Sequence, residues 1–365
     1  MNRICLVMIV RDEAAVIERC LQSVRPVISS WSIVDTGSRD DTATRIERSL
    51  ETLPGQLHHR PWVDFGHNRS EALKLAAGKD DWLLLIDADE QLFIDADLLP
   101  APDEPVDAWQ ILQQPAGSSN EFYLPRLLRS DHPWHFEGVL HEYLASTKPF
   151  RQARLEGWRQ IGHFDGARNQ QSKREKYLHD AAVLEAALES DPSNPRYRFY
   201  LAQSLRDAGE LERAVEQYRQ RAEMGGWEEE TYCALFEVAR LLERTQAPHE
   251  QVARAYLTAW NRRPVRAEPL TELARLHRER EEHAIAYLYA EKATSLPRPD
   301  DTLFLDAGVY GWRAKDELAI ASYWMGKPDT AIQLTRELLS SSALPDDQRT
   351  RVERNLHLFL NTNRG

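Results

Sequence analysis

The stretch "DWLLLIDADEQL", Asp81 to Leu92, closes the apolar run Trp82–Ile86 with Asp87, Asp89 and Glu90. Carboxylates at this spacing repel one another, and beside a core they also lose hydration. The bland explanation is a strand end that emerges into water, where acids are common. The chemical explanation is a positive partner. Mg2+ and Mn2+ are hard cations that favour oxygen ligands, and such an ion neutralises a diphosphate so that it departs without protonation. A neighbouring carboxylate can accept hydrogen bonds from ribose hydroxyls or from a base imide. Two further acidic strand ends lie upstream, Asp12–Glu13 and Asp35.

Acids from three strands meet only if a sheet gathers their ends. In parallel α/β sheets, ligands collect beyond the carboxyl ends of the strands. Ile4–Val10 is a continuous apolar run, as expected of a strand covered on both faces. Glu13–Val24 has helical spacing, with Val16, Ile17, Cys20, Leu21 and Val24 on one side. "WSIVDTGSRDDT" predicts a second strand entering a Gly-Ser turn, with Asp40 or Asp41 capping a helix from Thr42. Asn68–Ala77 reads as helix and Trp82–Ile86 as a third strand. This alternation predicts a mainly parallel, Rossmann-like α/β sheet. Asp103–Asn120, rich in Pro, Gly, Ser and acids, contains loops, and Phe122–Leu128 and Gly138–Leu144 read as later strands.

From about Ser172 the pattern becomes helical to the end. "LAQSLRDAGELERA" carries Ala202, Gly209 and Ala214, and "LAIASYWMGKPDTA" carries Ala319, Gly326 and Ala331 at identical spacing. Small residues at these offsets let two antiparallel helices pack closely around a Gly turn, which resembles the tetratricopeptide pattern. Glu229–Leu242 with His249–Asn261, and Glu268–Arg280 with His283–Leu296, read as degenerate pairs between them.

The chain has 365 residues, 42% of them apolar and 28% charged, with a formal net charge of -12. That length suits two domains with real cores. The acidity argues against nucleic acid as a partner. Cys5, Cys20 and Cys233 lie far apart without metal-ligand spacing, which favours reduced thiols and a cytoplasmic protein. "MNRICLVMIVRDE" reads as a first strand rather than a signal peptide, and no segment approaches the length of a membrane span.

"VMIVRDEAAVIERCLQSV", "IVDTGSRDDT", "FGHNRSEAL" and "WLLLIDADEQL", in this order, resemble the family 2 glycosyltransferases of the GT-A fold. The Asp-x-Asp triplet alone is weak; the ordered blocks carry the resemblance, over roughly residues 1–165. With the helical tail, the chain resembles the subgroup that includes the bacteriocin S-glycosyltransferases. The resemblance implies a GT-A domain over residues 1–168 and tetratricopeptide-like repeats over 169–365. It also implies a UDP-sugar donor, Mn2+ or Mg2+, and inverting transfer of a hexose. The acceptor it leaves open is a protein, a peptide or a glycan. The repeats offer a surface for peptides or for self-association.

By position, the resemblance places Val10, Asp12 and Glu13 at the nucleotide-facing end of the first strand, where many relatives carry Asn-Glu. It puts Asp35 at the uracil imide, Asp87 and Ala88 beside the ribose or sugar, and Asp89 on the metal. Arg69 matches a polar position near the base and diphosphate, although a helix-surface ion pair would explain it equally well. In "WHFEGVLHEYL", an inverting transferase needs a carboxylate base near the acceptor. Glu142 is the expected base and Glu137 its rival. His141–Glu142 stands where relatives have Glu-Asp. His163 matches a late histidine that serves as another metal ligand, with His141 as the alternative; a lone histidine is more often structural.

Two other classes of function remain. In a non-catalytic binding protein the repeats would carry the function, but intact acids at all of these strand ends weigh against it. A nucleotidyltransferase would show a glycine-rich loop after the first strand, where this chain has "VRDEAAV".

Overall fold

The computed structural model describes residues 3–95, 105–167 and 172–362. The expected boundary at 168/169 lies outside the described residues. The chain divides into two compact units, Met1–Gly209 and Glu210–Gly365.

The first unit is built on a mixed sheet with strand order β3-β2-β1-β4-β7-β6-β10-β5. Its strands are β1 Ile4–Val10, β2 Ser30–Asp35, β3 Gly55–His59, β4 Trp82–Leu85, β5 Glu90–Ile94, β6 Ala108–Pro115, β7 Asn120–Arg129 and β10 Gln152–Gly162. The pairs β3–β2, β2–β1, β1–β4 and β6–β10 are parallel, whereas β7 and β5 run antiparallel to their neighbours. A separate hairpin pairs β8 Trp134–Glu137 with β9 Tyr143–Ser146.

Strand β1 shows why the sheet forms. Ile4, Leu6, Met8 and Val10 enter one core cluster, and Cys5 and Val7 the opposite one. This is the period-two alternation of a strand buried on both faces. Each such side chain contributes roughly 1.5–3 kcal/mol by leaving water. Helices α1 Ile17–Val24 and α2 Thr42–Ser49 send Ile17, Cys20, Leu21, Val24 and Ile46 into the first cluster. Helix α3 Phe65–Ala76 sends Ala72, Leu73 and Ala76 into the second.

Three local expectations are corrected. Helix α1 starts at Ile17 rather than Glu13, because the preceding backbone is pinned elsewhere. The amides of Asp12, Glu13 and Ala14 donate to Ser38 Oγ, Thr42 Oγ1 and Asp40 Oδ2. Ala108–Pro115, within the segment expected to contain loops, is strand β6, which the sequence reading did not place, since Trp109 and Ile111 reach the core. Gly138–Leu144 is not one strand: β9 begins only at Tyr143, after a loop in which Gly138 and His141 have φ of 115° and 50°.

The same compact unit holds α4 Lys173–Ser190 and α5 Pro195–Asp207. The second unit is helical: α6 Leu211–Glu223, α7 Glu228–Arg244, α8 His249–Arg262, α9 Glu268–Glu279, α10 His283–Thr294, α11 Ala314–Trp324, α12 Pro328–Ser340 and α13 Asp346–Thr362. A π-helical turn, Val309–Arg313, leads into α11. Ala202, Ala214, Ala319 and Ala331 are buried, and Gly209 and Gly326 take positive φ of 86° and 70°. Glycine enters that region at little steric cost.

Gly66, near the start of α3, packs against the loop that follows β8. A Cβ there would lie 2.8 Å from the Gly138 carbonyl oxygen. Gly66→Ala should therefore push α3 and this loop apart and destabilise the protein by about 1–3 kcal/mol. Chemical denaturation checks this: the midpoint should fall, and an unchanged midpoint would mean that the contact is slack.

Candidate active site

The acids of the opening stretch separate into different environments. Asp87 leaves the end of β4, which Gln160 of β10 pins by donating Nε2 to the Leu85 carbonyl at 2.8 Å. Glu90 closes the turn: its Oε2 accepts from the Asp87 amide at 2.9 Å. Two arginines meet Asp87. Arg69 Nη2 donates to Oδ1 at 2.7 Å, and Arg126 Nη2 stands 3.5 Å from Oδ2 and 3.4 Å from Glu90 Oε1. Burial raises the Asp87 pKa, but Arg69 and Arg126 outweigh it and hold the carboxyl below its ordinary value.

Arg69 also reaches the hairpin loop. Its Nε lies 2.6 Å from Glu142 Oε1, an ion pair without the alignment of a linear hydrogen bond. Arg69 thereby joins Asp87 to Glu142. Its pKa is raised: burial alone would lower it, and the two carboxylates more than compensate. The surface ion pair considered for Arg69 is thus replaced by a largely buried one, its side chain being 17% exposed. Helix α3 is aimed by its own sequence. Asp64 caps it through the His67 amide, and buried Asn68 accepts from the Val63 amide and donates to the Pro61 carbonyl. Ser70 Oγ accepts from the Phe136 amide at 2.9 Å, tying α3 to β8.

Neither arginine forms an ion pair with Asp89. Its pKa is raised, first by burial and then by the charge of Asp87. Glu13 is pushed up to about 7 by burial, against a hydrogen bond from the Ala167 amide and with further repulsion from Asp89, Asp87 and Asp40. Glu90 also rises to about 7, first through burial, with Arg126 opposing and Asp87 adding to the rise. His163 comes next to Asp89 because β10 pairs with β5 in the register Gly162↔Glu90, and its amide donates to the Asp89 carbonyl at 3.1 Å. Its Nε2 pairs with Gln91 Oε1 at 2.7 Å.

Asp12 and Asp35 accept hydrogen bonds from the turn after β2. Asp12 Oδ1 accepts from the Arg39 amide. Asp35 is buried, and its Oδ1 accepts from the Gly37 and Ser38 amides at 3.0 and 2.8 Å. Its Oδ2 lies 3.6 Å from His59 Nδ1. Val10 and Ala88 are buried at their strand ends. Glu137 is bonded to His135 and Tyr143, and these hydrogen bonds lower its pKa. The His141 ring stacks on Tyr200 of α5 at 4.0 Å and 8°, and Arg196 of α5 donates twice to the His141 carbonyl.

The sequence reading missed Arg126 and gave Glu90 no role beyond its place in the acidic turn. An arginine inside the apolar strand "LPRLLR" was the available signal, since arginine is seldom buried without a partner.

Residues 5–116 match the family described as Glycosyl transferase family 2. A TPR repeat-containing protein of Synechococcus elongatus is 30% identical over 313 residues, spanning 81% of this chain and 76% of that protein. The chain belongs to the family 2 glycosyltransferases, joined to a tetratricopeptide-like helical domain. An uncharacterized glycosyltransferase of Rickettsia felis is 35% identical over 92 residues, 25% of this chain and 30% of that protein. Among solved structures, that of MamA protein has a TM-score of 0.36 at 17% identity, covering 50% of this chain and 90% of that chain. Of the residues above, Asp12, Glu13, Asp35, Arg69, Asp87, Asp89 and Glu90 fall within the matched segment, whereas Arg126, Glu142 and His163 follow it.

Among the described residues of this glycosyltransferase, no helix is long and apolar enough to cross a membrane. The raised pKa of Glu13 has a thermodynamic consequence. The folded state holds this proton up to about pH 7, whereas the unfolded chain releases it near 4.5. Its stabilising contribution is complete below the unfolded value and is lost as pH rises through about 7. The melting temperature of metal-free protein should therefore fall between pH 5 and 8, and Glu13→Gln should flatten that fall. Parallel pH profiles for variant and wild type would contradict this assignment.

Proposed function

We propose that the protein transfers a hexose from a UDP-sugar to an acceptor with inversion, with Mn2+ or Mg2+ bound at Asp89. The observation that carries this reading is Arg69, which links Asp87 on the donor side to Glu142, the candidate base. The residues fit a hard cation. Arg69 and Arg126 serve Asp87 and Glu90, while Asp89 and Glu13 both hold protons more tightly than usual, first through burial and further through neighbouring carboxylates, a setting that a cation would relieve. Asp89 would hold the ion, with His163 able to offer Nδ1. When bound, the ion supplies charge neutralisation for the departing diphosphate.

This chain's own side chains do the rest. Glu142 takes the proton from the acceptor nucleophile as the new bond forms. It can do so only when its hold on Arg69 loosens, and a donor diphosphate competes for the same guanidinium. Donor binding would thus free the base. Asp35 keeps an oxygen for the uracil N3–H, since a carboxylate accepts but cannot donate. Asp12 and Glu13 shape the nucleotide side through the turn they share with Ser38, Asp40 and Thr42. Helix α5 borders the loop that bears Glu142, which supports a peptide or protein acceptor approaching along the first helices. Cys5, Cys20 and Cys233 are free and buried, which supports a reducing, cytoplasmic setting.

UDP release from a panel of UDP-sugars, with and without chelator, tests the reading when combined with two variants. Asp89→Asn should lower release about 10²–10³-fold, comparable to losing one preorganised electrostatic group. Glu142→Gln should lower transfer about 10²–10⁴-fold. Calorimetry should show UDP binding to Glu142→Gln as tight as to wild type or tighter, because a competitor for Arg69 is weakened. Full turnover in chelator would remove the metal from the proposal, and a dead Glu137→Gln beside an active Glu142→Gln would move the base to Glu137.

A further inference from the structure

We propose that His249, His277 and Glu282, in the helical unit, form a zinc site. His249 opens α8, His277 lies in the last turn of α9, and Glu282 precedes α10. Each brings one ligand atom, and these atoms lie within 4.8 Å of one another, the one such group among the described residues. Zinc binds nitrogen and oxygen at about 2.0–2.2 Å, so its ligands stand about 3–4 Å apart. Side-chain rotation is enough to bring this group onto an ion.

Two observations point to an ion rather than a solvated turn. The first is that His249 Nε2 is buried and has no hydrogen-bond partner. Buried polar atoms are nearly always paired, and an orphan carries a desolvation cost. A cation would satisfy it. The second is the geometry beside it. Glu282 Oε2 lies 2.5 Å from His277 Nδ1, and the two histidine rings are 5.1 Å apart at 88°. A carboxylate only accepts, so Nδ1 carries the shared proton. Zinc would take the place of that proton, which passes to the buffer, while the pair opens by about 1 Å to admit the metal.

The backbone holds the group in place. Glu281 has φ of 61°, and the Glu282 amide donates to the His277 carbonyl at 2.9 Å. Tyr289 stacks on the His277 ring at 5.5 Å. Two imidazoles and one carboxylate suit zinc, with water in the fourth position, whereas Mg2+ favours all-oxygen sites. The ion would staple the start of α8 to the end of α9, fixing one helical pair against the next. This site is independent of the sugar-transfer reading, because it uses none of those residues.

The test is calorimetric titration of untagged, chelator-stripped full chain with Zn2+ and separately with Mg2+, in two buffers of different ionisation enthalpy. The Asp89→Asn background removes the acidic site of the first unit from the signal. Zinc should bind with proton release, and His249→Phe should weaken it about 10-fold or more. His249→Phe should melt in chelator no lower than its parent, and zinc should raise the melting temperature of the parent alone. If His249→Phe does not fold, His249→Gln takes its place. Absence of zinc binding, or equal binding with and without His249, would overturn the site.

Discussion

A guanidinium held between two carboxylates organises the first unit. Arg69 contacts Asp87 at 2.7 Å and Glu142 at 2.6 Å, in a pocket where neither carboxylate is fully solvated. Buried charge is costly unless it is paired, and removing one partner of such a pair typically costs 3–5 kcal/mol because the other is stranded. The surrounding features keep this pairing in register. Asp64 and Asn68 aim α3, Gly66 lets it approach the Gly138 carbonyl, and Ser70 fastens it to β8. Arg126 supplies the second positive charge that a turn with Asp87 and Glu90 requires.

The same interaction links two ends of a reaction. A glycosyltransferase must hold a donor and activate an acceptor without wasting the donor on water. Arg69 touches one group expected on each side, so under the proposed function donor binding would reach the candidate base through competition for a single cation. Asp89 and Glu13 lie outside this pairing, and their proton affinity is raised first by burial and then by neighbouring carboxylates.

Much of this was legible in the sequence where a pattern depends on local chemistry. Period-two burial of Ile4–Val10, the small residues around Gly209 and Gly326, and acids at strand ends all follow from rules a few residues long. The helical pairs at Glu228–Arg262 and Glu268–Thr294 fell close to their expected positions. What escaped depends on long-range partners. Strand β6 lies in a segment whose Pro and Gly suggest loops, and it exists because β7 and β10 flank it. The loop bearing Glu142 takes its shape from Gly66, Arg69 and Arg196, which are distant in sequence.

Under the proposed function, Arg69 and Glu142 act as one unit in transfer. A double-mutant cycle on the transfer rate, with Arg69→Met, Glu142→Gln and the double variant, measures this directly. Residues that act together are strongly non-additive, with coupling of about 0.5–3 kcal/mol or more. The double variant should therefore be little slower than the worse single variant. If the two losses simply multiply, Arg69 and Glu142 act independently and the proposed link between donor binding and the base is wrong.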